Sequence, residues 1–540
     1  MKTFCSKDCP DLCDFYIEEQ EGKITFRSAE EKNGRNGFVC SKLKGFYERE
    51  ITCGEKFDPE SLKNAAELIR SLEGQEFLYM RGSGSLGYAM GWWDVLFSNI
   101  KGAVFIDGSP CDITGTDAHE YDFGVCDTPP ASNLAEADNI IIFGRNAKVV
   151  NQHLFAYLLK LKKAGKRILY IDPIRTETVS SATDYIRINP ACDGLLCEAY
   201  LTEDAKKREE FIKIAGLTEQ QFILFSDYVK NGKTAFITGF GLQRYKNGMA
   251  AVRWINRLAV KTDNEKYLYY ARGSKGELKP VPKQTVRRIN ISELPEVIDK
   301  FPLMVIVGAN PAVTFPKSEK WHKALEKVKL ISIDTNITET SKHADVFIRA
   351  GGMFAQNDIM GSYFFNERPS LRKKFVNLPS DTELAEELAA LLDMKLGVIQ
   401  SENVERKTPP SRKYEEKPLQ SAFPYHGKGY RFLSGSHTAY LNSQVAPSLG
   451  KNDPFVYISP ETAEKESLKE NDFVGVFSAE GSFTGIVRVS GNICENTVYA
   501  YKSREMAEGY INNATSMLLT DSGTGIAYYD TFVNIVRKKM

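Results

Sequence analysis

The stretch NIIIFGRNAKVVNQHLFAYLLKLKKAG, residues 139–165, contains one complete strand–turn–helix unit. Asn139–Phe143 is a continuous apolar run followed by a glycine turn, which is typical of a buried strand. From Asn151 to Lys163 apolar residues recur with helical spacing, and a glycine follows shortly after. The chain then enters another apolar run in RILYIDPIRTET, residues 167–178. This alternation predicts a parallel sheet covered by helices on both faces.

The same alternation recurs twice along the chain. TAFITGFGLQ (234–243) is a strand and turn that lead into a predicted helix over Ala250–Val260. LMVIVGANPAV (303–313) is followed by a helical pattern over Trp321–Val328 and by a further strand in LISIDTN (330–336). We therefore predict an α/β fold with doubly wound parallel sheets.

The predicted strands end in tips that are polar or contain glycine. In open parallel sheets, ligands bind beyond the carboxyl ends of the strands. Glycine lets backbone amides approach phosphate, and aspartate accepts hydrogen bonds from ribose or guanine. The tips are 144–146, 172–175, 239–241, 308–311 and 334–335. Each alone is compatible with an ordinary turn, but together they suggest two nucleotide-like ligands or one large one. None carries the signature of an ATP or NAD site.

Three of the ten cysteines lie within the first 13 residues. Cys5, Cys9 and Cys13 have the spacing C-x3-C-x3-C, and Cys40 follows after 26 residues. Residues 15–28 alternate as in a hairpin, which would return the chain towards the first three. Four thiolates are the ligands of a 4Fe-4S cluster, which we predict here. A structural zinc site and inert cysteines are the alternatives.

Composition excludes several other classes of protein. Lys and Arg number 70 and Asp and Glu number 70, so the net charge is zero, which argues against a nucleic-acid partner. The N-terminus has no apolar or twin-arginine export signal, and no 18-residue apolar run predicts a membrane span. We predict a cytoplasmic protein, where clustered thiols indicate metal binding more than disulfides.

Length and local composition predict four parts for these 540 residues. Residues 1–54 form a β-rich iron–sulfur domain, and 55–397 form interleaved α/β domains. The charged, proline-bearing stretch 398–426 is predicted to be a linker. Short apolar runs with a hairpin turn at 479–481 then predict a C-terminal β-barrel domain over 427–540.

These features together resemble the molybdopterin oxidoreductase family, the dimethyl-sulfoxide-reductase superfamily. The resemblance covers nearly the whole chain and is closest to poorly characterised members with a GS-x-C segment. The matching stretches are GFVCSK (37–42), GSPCDITGTDAHEYDFG (108–124), LAEADNIIIFGRNAKVVNQH (134–153), YIDPIRTETVSSATDYIRINPACDG (170–194), VIVGANPAVTFP (305–316) and DTNITETSKHADVFI (334–348).

The resemblance implies a bis-molybdopterin guanine dinucleotide that holds Mo or W. Cys111 is then the candidate protein ligand to the metal, because a thiolate suits these metals; a buried structural cysteine is the alternative. Cys126 is a weaker candidate ligand. Lys42 would lie between cluster and pterin, and His119 is a candidate proton relay, or else an ordinary hydrogen-bonded histidine.

The resemblance also assigns residues to the two dinucleotides. The first set is Gly144, Asn146, Asp172, Arg175 and Asp193; the second is Gly308, Asn310, Asp334, Thr338 and Asp345; and the C-terminal residues that close over them are Ser436, His437, Asn442 and Asn513.

The expected activity is oxygen-atom or hydride transfer on a small substrate. Electrons would pass through the 4Fe-4S cluster to a protein such as a ferredoxin or an iron–sulfur subunit. A non-redox hydratase or hydroxyl transferase and a non-catalytic electron-transfer subunit are the alternatives. Asp112 follows Cys111 where formate dehydrogenases have histidine, and Arg349-Ala350 stands where the family usually has Leu-Pro. These departures, and the short chain, leave the substrate and the choice of metal open.

Overall fold

In residues 1–29, 37–365 and 367–539, which the structure describes, the apolar runs form four sheets and a closed barrel. The structure is a computed structural model. The strands are β1 (Lys2–Phe4), β2 (Asp14–Gln20), β3 (Lys23–Ser28), β4 (Phe77–Arg81), β5 (Ala103–Asp107), β6 (Asn139–Phe143), β7 (Arg167–Ile171), β8 (Asp184–Ile186), β9 (Thr234–Thr238), β10 (Leu268–Tyr269), β11 (Arg288–Asn290), β12 (Leu303–Val307), β13 (Lys329–Asp334), β14 (Val346–Arg349), β15 (Asp358–Met360), β16 (Ser370–Arg372), β17 (Tyr430–Gly435), β18 (Phe455–Ile458), β19 (Phe473–Phe477), β20 (Ser482–Val489), β21 (Thr497–Tyr501) and β22 (Phe532–Arg537).

The helices are mostly short and cover the faces of the parallel sheets. They are α1 (Lys42–Tyr47), α2 (Glu60–Arg70), α3 (Trp92–Ser98), α4 (Ile113–Phe123), α5 (Ala147–Val150), α6 (Gln152–Lys163), α7 (Asp193–Leu201), α8 (Ala205–Ile214), α9 (Glu219–Lys230), α10 (Gly248–Lys261), α11 (Pro311–Thr314), α12 (Ser318–Leu325), α13 (Asp381–Leu391) and α14 (Pro460–Lys465). Among the described residues, no helix has the length and apolar character needed to cross a bilayer.

Asn139–Phe143 forms β6, the central strand of a five-stranded parallel sheet. Its order is β10-β9-β6-β7-β8, and every residue of β6 is buried. The chain moves outward from β6 to β8, then returns to the other side of β6 to form β9 and β10. The strand order therefore reverses between β6 and β9.

A six-stranded parallel sheet has the same design, with the order β11-β5-β4-β12-β13-β14. Here the order reverses between β4 and β12. Its strands come from two regions, 77–107 and 288–349, so the five-stranded sheet is inserted between them. The prediction of doubly wound parallel sheets is confirmed.

Glycines allow the strand tips to meet at both reversals. A Cβ on Gly82, after β4, would lie 2.5 Å from the Gly308 carbonyl oxygen after β12. A Cβ on Gly239, after β9, would lie 2.1 Å from the Gly144 carbonyl oxygen after β6. Gly308 and Gly144 themselves have φ of +56° and +54°, which glycine adopts at little steric cost.

The N-terminal region forms the predicted hairpin. β1, β2 and β3 make an antiparallel sheet in which Tyr16 pairs with Arg27 and Gln20 with Lys23. The loop between β1 and β2 carries Cys5, Cys9 and Cys13. This loop is thereby fixed at the edge of a small sheet.

The C-terminal strands close into the predicted barrel, in the order β17-β21-β18-β20-β19-β22. The predicted hairpin turn joins β19 to β20, which pair antiparallel. Apolar side chains that alternate along the strands fill the interior, among them Val456, Val474 and Val498. Because the barrel is closed, its sheet has no exposed edge strands.

Residues 398–426, the predicted linker, have no long helix or strand, but they pack against the rest of the protein. Their backbone runs along α10, where Trp254 Nε1 donates to Gln420 O at 3.0 Å. Asn247 Nδ2 donates to the carbonyl of Ala422 at 2.8 Å, and Ala422 is fully buried. The segment therefore fastens the five-stranded sheet to the chain that enters the barrel.

Two isoleucines test the importance of the central strand. Ile142 of β6 is fully buried, whereas Ile223 of α9 is 58% exposed. We expect Ile142→Ala to destabilise the fold by about 2–5 kcal/mol, because it removes buried methyl groups and leaves a cavity. Thermal unfolding should show a midpoint several degrees lower for Ile142→Ala and an unchanged one for Ile223→Ala. Equal midpoints for both variants would contradict the central position of β6.

Candidate functional site

Two cavities open where the strand orders reverse. The first, of about 520 Å³, lies beyond the tips of β4 and β12 and is lined by Gly82, Gly308 and Asn310. The second, of about 260 Å³, lies beyond β6 and β9 and is lined by Gly144 and Gly241. Ligands bind at such reversals because the loops diverge to opposite faces of the sheet and leave a crevice.

The two cavities meet in a shared region, which we call the junction. The residues that line both cavities are Asp8, Ser83, Leu86, Ser109, Cys111, Arg244, Tyr363, Ser434, Asn442 and Lys502. They come from the cysteine loop, from both sheets and from the barrel. These four parts of the described chain therefore converge at the junction.

Cys111 lies at the junction just before α4. Its N–H donates to Ser109 Oγ at 3.0 Å, and its carbonyl accepts from Gln243 Nε2 at 2.9 Å. Burial raises the pKa of its thiol well above the ordinary value, and the carboxylates of Asp8 and Asp112 raise it further. The backbone holds this thiol firmly in place, while its surroundings disfavour a free thiolate.

The second cavity contains two buried carboxyl groups. Burial raises the pKa of Asp172 to about 6 and that of Asp193 to about 7. Asp172 accepts from Tyr170 Oη at 2.7 Å and from the Ile174 N–H at 2.9 Å. Asp193 Oδ1 has no hydrogen-bond partner within the described chain. A buried acceptor at a cavity wall needs a donor from a ligand or water.

The first cavity has a similar polar wall built by β12 and β13. Asn310 Oδ1 accepts from the N–H of Thr340 at 3.1 Å and from its Oγ1 at 2.8 Å. Asp334 lies 3.9 Å from Arg49, and burial raises its pKa. Thr338 shares a 2.8 Å hydrogen bond with Ser341. These side chains are held in place before any ligand binds.

Most residues that the resemblance assigned to the dinucleotides line the two cavities. Those in the second cavity are Gly144, Asn146, Asp172, Asp193 and Ser436; those in the first are Gly308, Asn310, Asp334 and Thr338; and Asn442 lines both. Asn442 also donates from Nδ2 to Asp8 Oδ2 at 3.0 Å, which joins the barrel to the cysteine loop.

Four assigned residues lie away from the cavity walls. Asp345 is exposed and pairs with Lys329 at 2.6 Å, and Arg175 is exposed with its guanidinium over Tyr185. His437 stacks on Tyr440 with 4.8 Å between ring centroids. Asn513 does not line a cavity, but its neighbour Asn512 lines the first one.

His119, the candidate proton relay, also lies away from both cavities. Its ring is fully buried, stacks on Tyr270 at 4.9 Å, and has no hydrogen-bond partner on either nitrogen within the described residues. Burial lowers its pKa to about 3. The imidazole is therefore neutral at physiological pH, and the structure does not bring it to Cys111.

The four N-terminal cysteines share one neighbourhood. Burial, together with the charge of Cys40, raises the pKa of Cys5 to about 11. Burial also raises the pKa of Cys13 well above its ordinary value, and Cys5, Cys9 and Cys40 contribute. Among the described residues, no three His, Cys, Asp or Glu side chains are arranged so that they could hold a metal ion as they stand.

Lys42 bridges the cysteine loop and the second cavity. Its Nζ is buried and donates to the Val149 carbonyl at 2.7 Å. Val149 belongs to α5, directly after the Gly144 turn, and the Cys9 thiol contacts the next carbonyl, that of Val150, at 3.7 Å. Lys42 Nζ and the Cys9 thiol therefore contact neighbouring carbonyls of the segment that follows the polar tip of β6.

Sequence reasoning missed several residues of the junction and the first cavity. Asp8, Arg244 and Lys502 have no local motif that marks them, since each reaches the junction from a different part of the chain. Gly82 and Gly84 did carry a signal, because they follow the apolar run of β4 as the other tips follow theirs.

Sequence profiles match two regions that supply most of the residues lining these cavities. The molybdopterin oxidoreductase profile matches residues 53–357, and the molybdopterin dinucleotide binding domain profile matches residues 429–532. The chain belongs to the molybdopterin oxidoreductase family. It shares with this family the dimethyl-sulfoxide-reductase fold, and most of the residues that line the two cavities lie within the matched regions.

Two relatives align over nearly the full chain, and a third over about two thirds of it, all at low identity. The probable oxidoreductase YyaE of Bacillus subtilis is 24% identical over 99% of each chain, and the probable oxidoreductase YoaE is 22% identical over 99% of this chain and 98% of its own. The F420-dependent formate dehydrogenase subunit alpha of Methanocaldococcus jannaschii is 22% identical over 69% of this chain and 72% of its own.

Acetylene hydratase from Pelobacter acetylenicus has a similar structure. The TM-score is 0.77 over 99% of this chain and all of that one, with 12% sequence identity. At this identity the similarity concerns the fold alone.

The burial of His119 predicts a pH-dependent stability. Its pKa in the folded protein, about 3, is below the ordinary 6.5, so unfolding takes up a proton between these values. Stability is thus lost as the pH falls below about 6.5, by roughly 1.4 kcal/mol per pH unit. We expect His119→Phe to lose less stability than the parent between pH 7 and pH 5 in thermal unfolding.

Replacing the exposed His426 by Gln is the control and should leave the parent's pH dependence unchanged. If His119→Phe loses as much stability as the parent between the two pH values, the imidazole is not held neutral by burial.

Proposed function

We propose that the chain is a Mo- or W-dependent oxidoreductase that holds a bis-molybdopterin guanine dinucleotide and a 4Fe-4S cluster. The observation that carries this proposal is the meeting of two switch-point cavities at Cys111. Each cavity would bind one dinucleotide, and the metal would lie at the junction. The names of YyaE, YoaE and the formate dehydrogenase subunit, all oxidoreductases, support a redox function for this chain.

The polar groups of the two cavities fit dinucleotides chemically. Gly144 and Gly308 bring backbone close to the cavities without side chains, which suits pyrophosphate. Asp193, with its unpartnered oxygen, suits an N–H or O–H donor such as guanine or ribose. We assign Asp172 and Asp193 to one dinucleotide and Asn310, Asp334 and Thr338 to the other.

The N-terminal loop fits an iron–sulfur cluster by its ligand chemistry. Cys5, Cys9, Cys13 and Cys40 supply the four thiols that a 4Fe-4S cluster requires, and the pKa of each is affected by at least one nearby charge. Three of these cysteines are half-buried, so the loop is near the surface. We propose that a ferredoxin or an iron–sulfur subunit docks here.

When bound, the cofactors supply the electron-transfer and oxygen-atom or hydride chemistry. The chain's own residues position them. The Gln243 side chain and Ser109 hold the backbone of Cys111, whose sulfur is a suitable soft ligand. Lys42 places a buried cation between the cysteine loop and the second cavity.

A non-redox hydratase is the remaining enzymatic alternative. The similarity to acetylene hydratase does not favour it, because that similarity is one of fold. Turnover that requires an electron acceptor supports the proposed redox function, whereas equal turnover without any acceptor supports a hydratase or hydroxyl transferase.

Metal analysis of anaerobically purified protein tests the proposal directly. We expect about four irons and about one molybdenum or tungsten per chain, because one cluster and one pterin-bound metal are proposed. Iron without Mo, W or pterin would instead indicate an electron-transfer subunit. Zinc without iron would contradict the cluster assignment.

A cysteine variant tests the proposed metal ligand. We expect Cys111→Ser to lose most of its turnover, and the metal's X-ray absorption spectrum to lose one sulfur neighbour. Cys53 is exposed and lines neither cavity, so Cys53→Ser is the matched control and should retain activity. Full turnover of Cys111→Ser with an unchanged spectrum would show that Cys111 is not a ligand.

A further inference from the structure

Two deeply buried ion pairs lie at the Cys5–Cys9 part of the cysteine loop. Arg372 of β16 contacts Asp358 of β15 at 2.9 Å, and Lys7 contacts Glu50; all four side chains are at most 2% exposed. The cost of removing two charges from water largely offsets their attraction, so a buried ion pair is weak evidence for stability. Ion pairs at this depth beside the cysteines therefore indicate a role in holding or charging the loop.

Arg372 contacts the cysteine loop on both sides of Cys5. Its Nη1 donates to Ser6 Oγ at 3.0 Å and to the Phe4 carbonyl at 3.3 Å. Its guanidinium also lies over the Phe4 ring, with 4.7 Å to the centroid. Its Nη2 donates to Asp358 at 2.9 Å. Different nitrogens of one guanidinium thus bind the cysteine loop and the carboxylate.

The paired carboxylate, Asp358, contacts a different loop, the one that follows β4. Its Oδ1 accepts from the Ala89 N–H at 2.9 Å, and a side chain at Gly87 would strike the same carboxylate. Ser83 and Leu86 of this loop line both cavities. The ion pair therefore joins the cysteine loop to a wall of the junction.

Ser6 also joins these two loops directly. Its carbonyl accepts from the Leu86 N–H at 2.7 Å, and its Oγ shares a 2.8 Å hydrogen bond with Ser85 Oγ. Together with Arg372, these contacts hold the residue next to Cys5 at three points.

The carboxylates of the cysteine loop itself bind other parts of the chain. Asp11 accepts from the His153 N–H at 3.1 Å and from the Asn151 side chain, both at the start of α6. Asp8 accepts from Asn442 Nδ2 at 3.0 Å, in the segment after β17.

Two further carboxylates act on Arg372 without contacting it. Glu50 is paired with Lys7, and Asp381 accepts from Trp93 Nε1 at 2.9 Å. Arg372 is therefore a charged side chain that contacts the residues on either side of a cysteine, while these carboxylates have partners of their own.

We propose that Arg372 is a positioning residue for the iron–sulfur cluster, which fastens the Cys5 arm of the loop and raises the reduction potential of the bound cluster. Reduction adds a negative charge to a cluster that already has thiolate ligands, so a buried cation nearby stabilises the reduced form. The inference rests on the proposed function, since it concerns the cluster that the four cysteines would hold.

A redox titration of the anaerobically purified holoenzyme, followed by electron paramagnetic resonance, tests the effect of the charge. We expect a lower midpoint potential of the cluster in Arg372→Gln than in the parent. Arg372→Lys keeps the charge and should restore the parent's potential. Arg253→Gln is the matched control, because it removes a buried arginine that pairs with Asp122 at 2.8 Å, between α10 and α4. It should lower the unfolding temperature and leave the potential unchanged.

The rate at which EDTA removes iron from the holoenzyme tests the fastening separately. Ser6→Ala keeps the charge of Arg372 but removes the hydroxyl that Arg372 and Ser85 share. We expect iron loss to be about two- to tenfold faster, as for the loss of one hydrogen bond. Ser98→Ala, which removes a buried hydroxyl bonded to the Val95 carbonyl at 2.9 Å, is the control and should match the parent.

Several results would overturn the inference. They are a parent-like potential in Arg372→Gln, an equal fall of the potential in Arg372→Lys or Arg253→Gln, and a parent-like rate of iron loss in Ser6→Ala. If Arg372→Gln does not fold, the rate of iron loss from Ser6→Ala decides. A parent protein without iron would instead contradict the proposed function, whatever the variants give.

Discussion

Everything at the site depends on the close approach of glycine turns at two strand reversals. Gly82 meets Gly308 between β4 and β12, and Gly239 meets Gly144 between β6 and β9. Any side chain at Gly82 or Gly239 would strike a neighbouring carbonyl oxygen, so these tips stay close only because they have none. Each sheet thereby keeps a crevice beyond its reversal, and the two crevices are oriented so that they join at Cys111.

The barrel contributes to the same arrangement from far along the chain. The Ser109 N–H donates to the Thr524 carbonyl at 3.0 Å, and Thr114 shares a 2.9 Å hydrogen bond with Thr520. These contacts fasten the loop around Cys111 to the C-terminal segment. Together with the Asn442–Asp8 hydrogen bond, they bring residues from all parts of the fold to the junction. None of those parts contains a complete site alone.

Local sequence patterns predicted the strands, the barrel and the glycine tips, because burial and turn geometry require particular residue types at nearby positions. Gly144, Asp172, Gly308 and Asn310 follow apolar strands directly and line cavities as their position suggested. The helix predicted over Trp321–Val328 begins three residues earlier, at Ser318, after Lys317 with φ of +61°. Such boundaries depend on the conformation of single residues.

Tertiary packing determines the side-chain positions that local sequence patterns do not predict. Arg175 and Asp345 stand next to correctly placed tips, yet their side chains turn to Tyr185 and Lys329. His119 lies on α4, shortly after Cys111 in the chain, but this helix directs the imidazole into the core. Conversely, Arg272 and Lys275 reach the first cavity through a turn fastened to residue 362, nearly ninety positions later, and no local motif records that contact.

The insertion of one sheet within the other also sets an order of events during synthesis. The five-stranded sheet uses only residues 139–269, so its strands leave the ribosome together and can pair at once. β4 and β5 emerge earlier but must wait for β12, more than 190 residues later, before their sheet has its centre. The inserted sheet is therefore expected to fold first, and the first cavity, which needs β12, to form after the second.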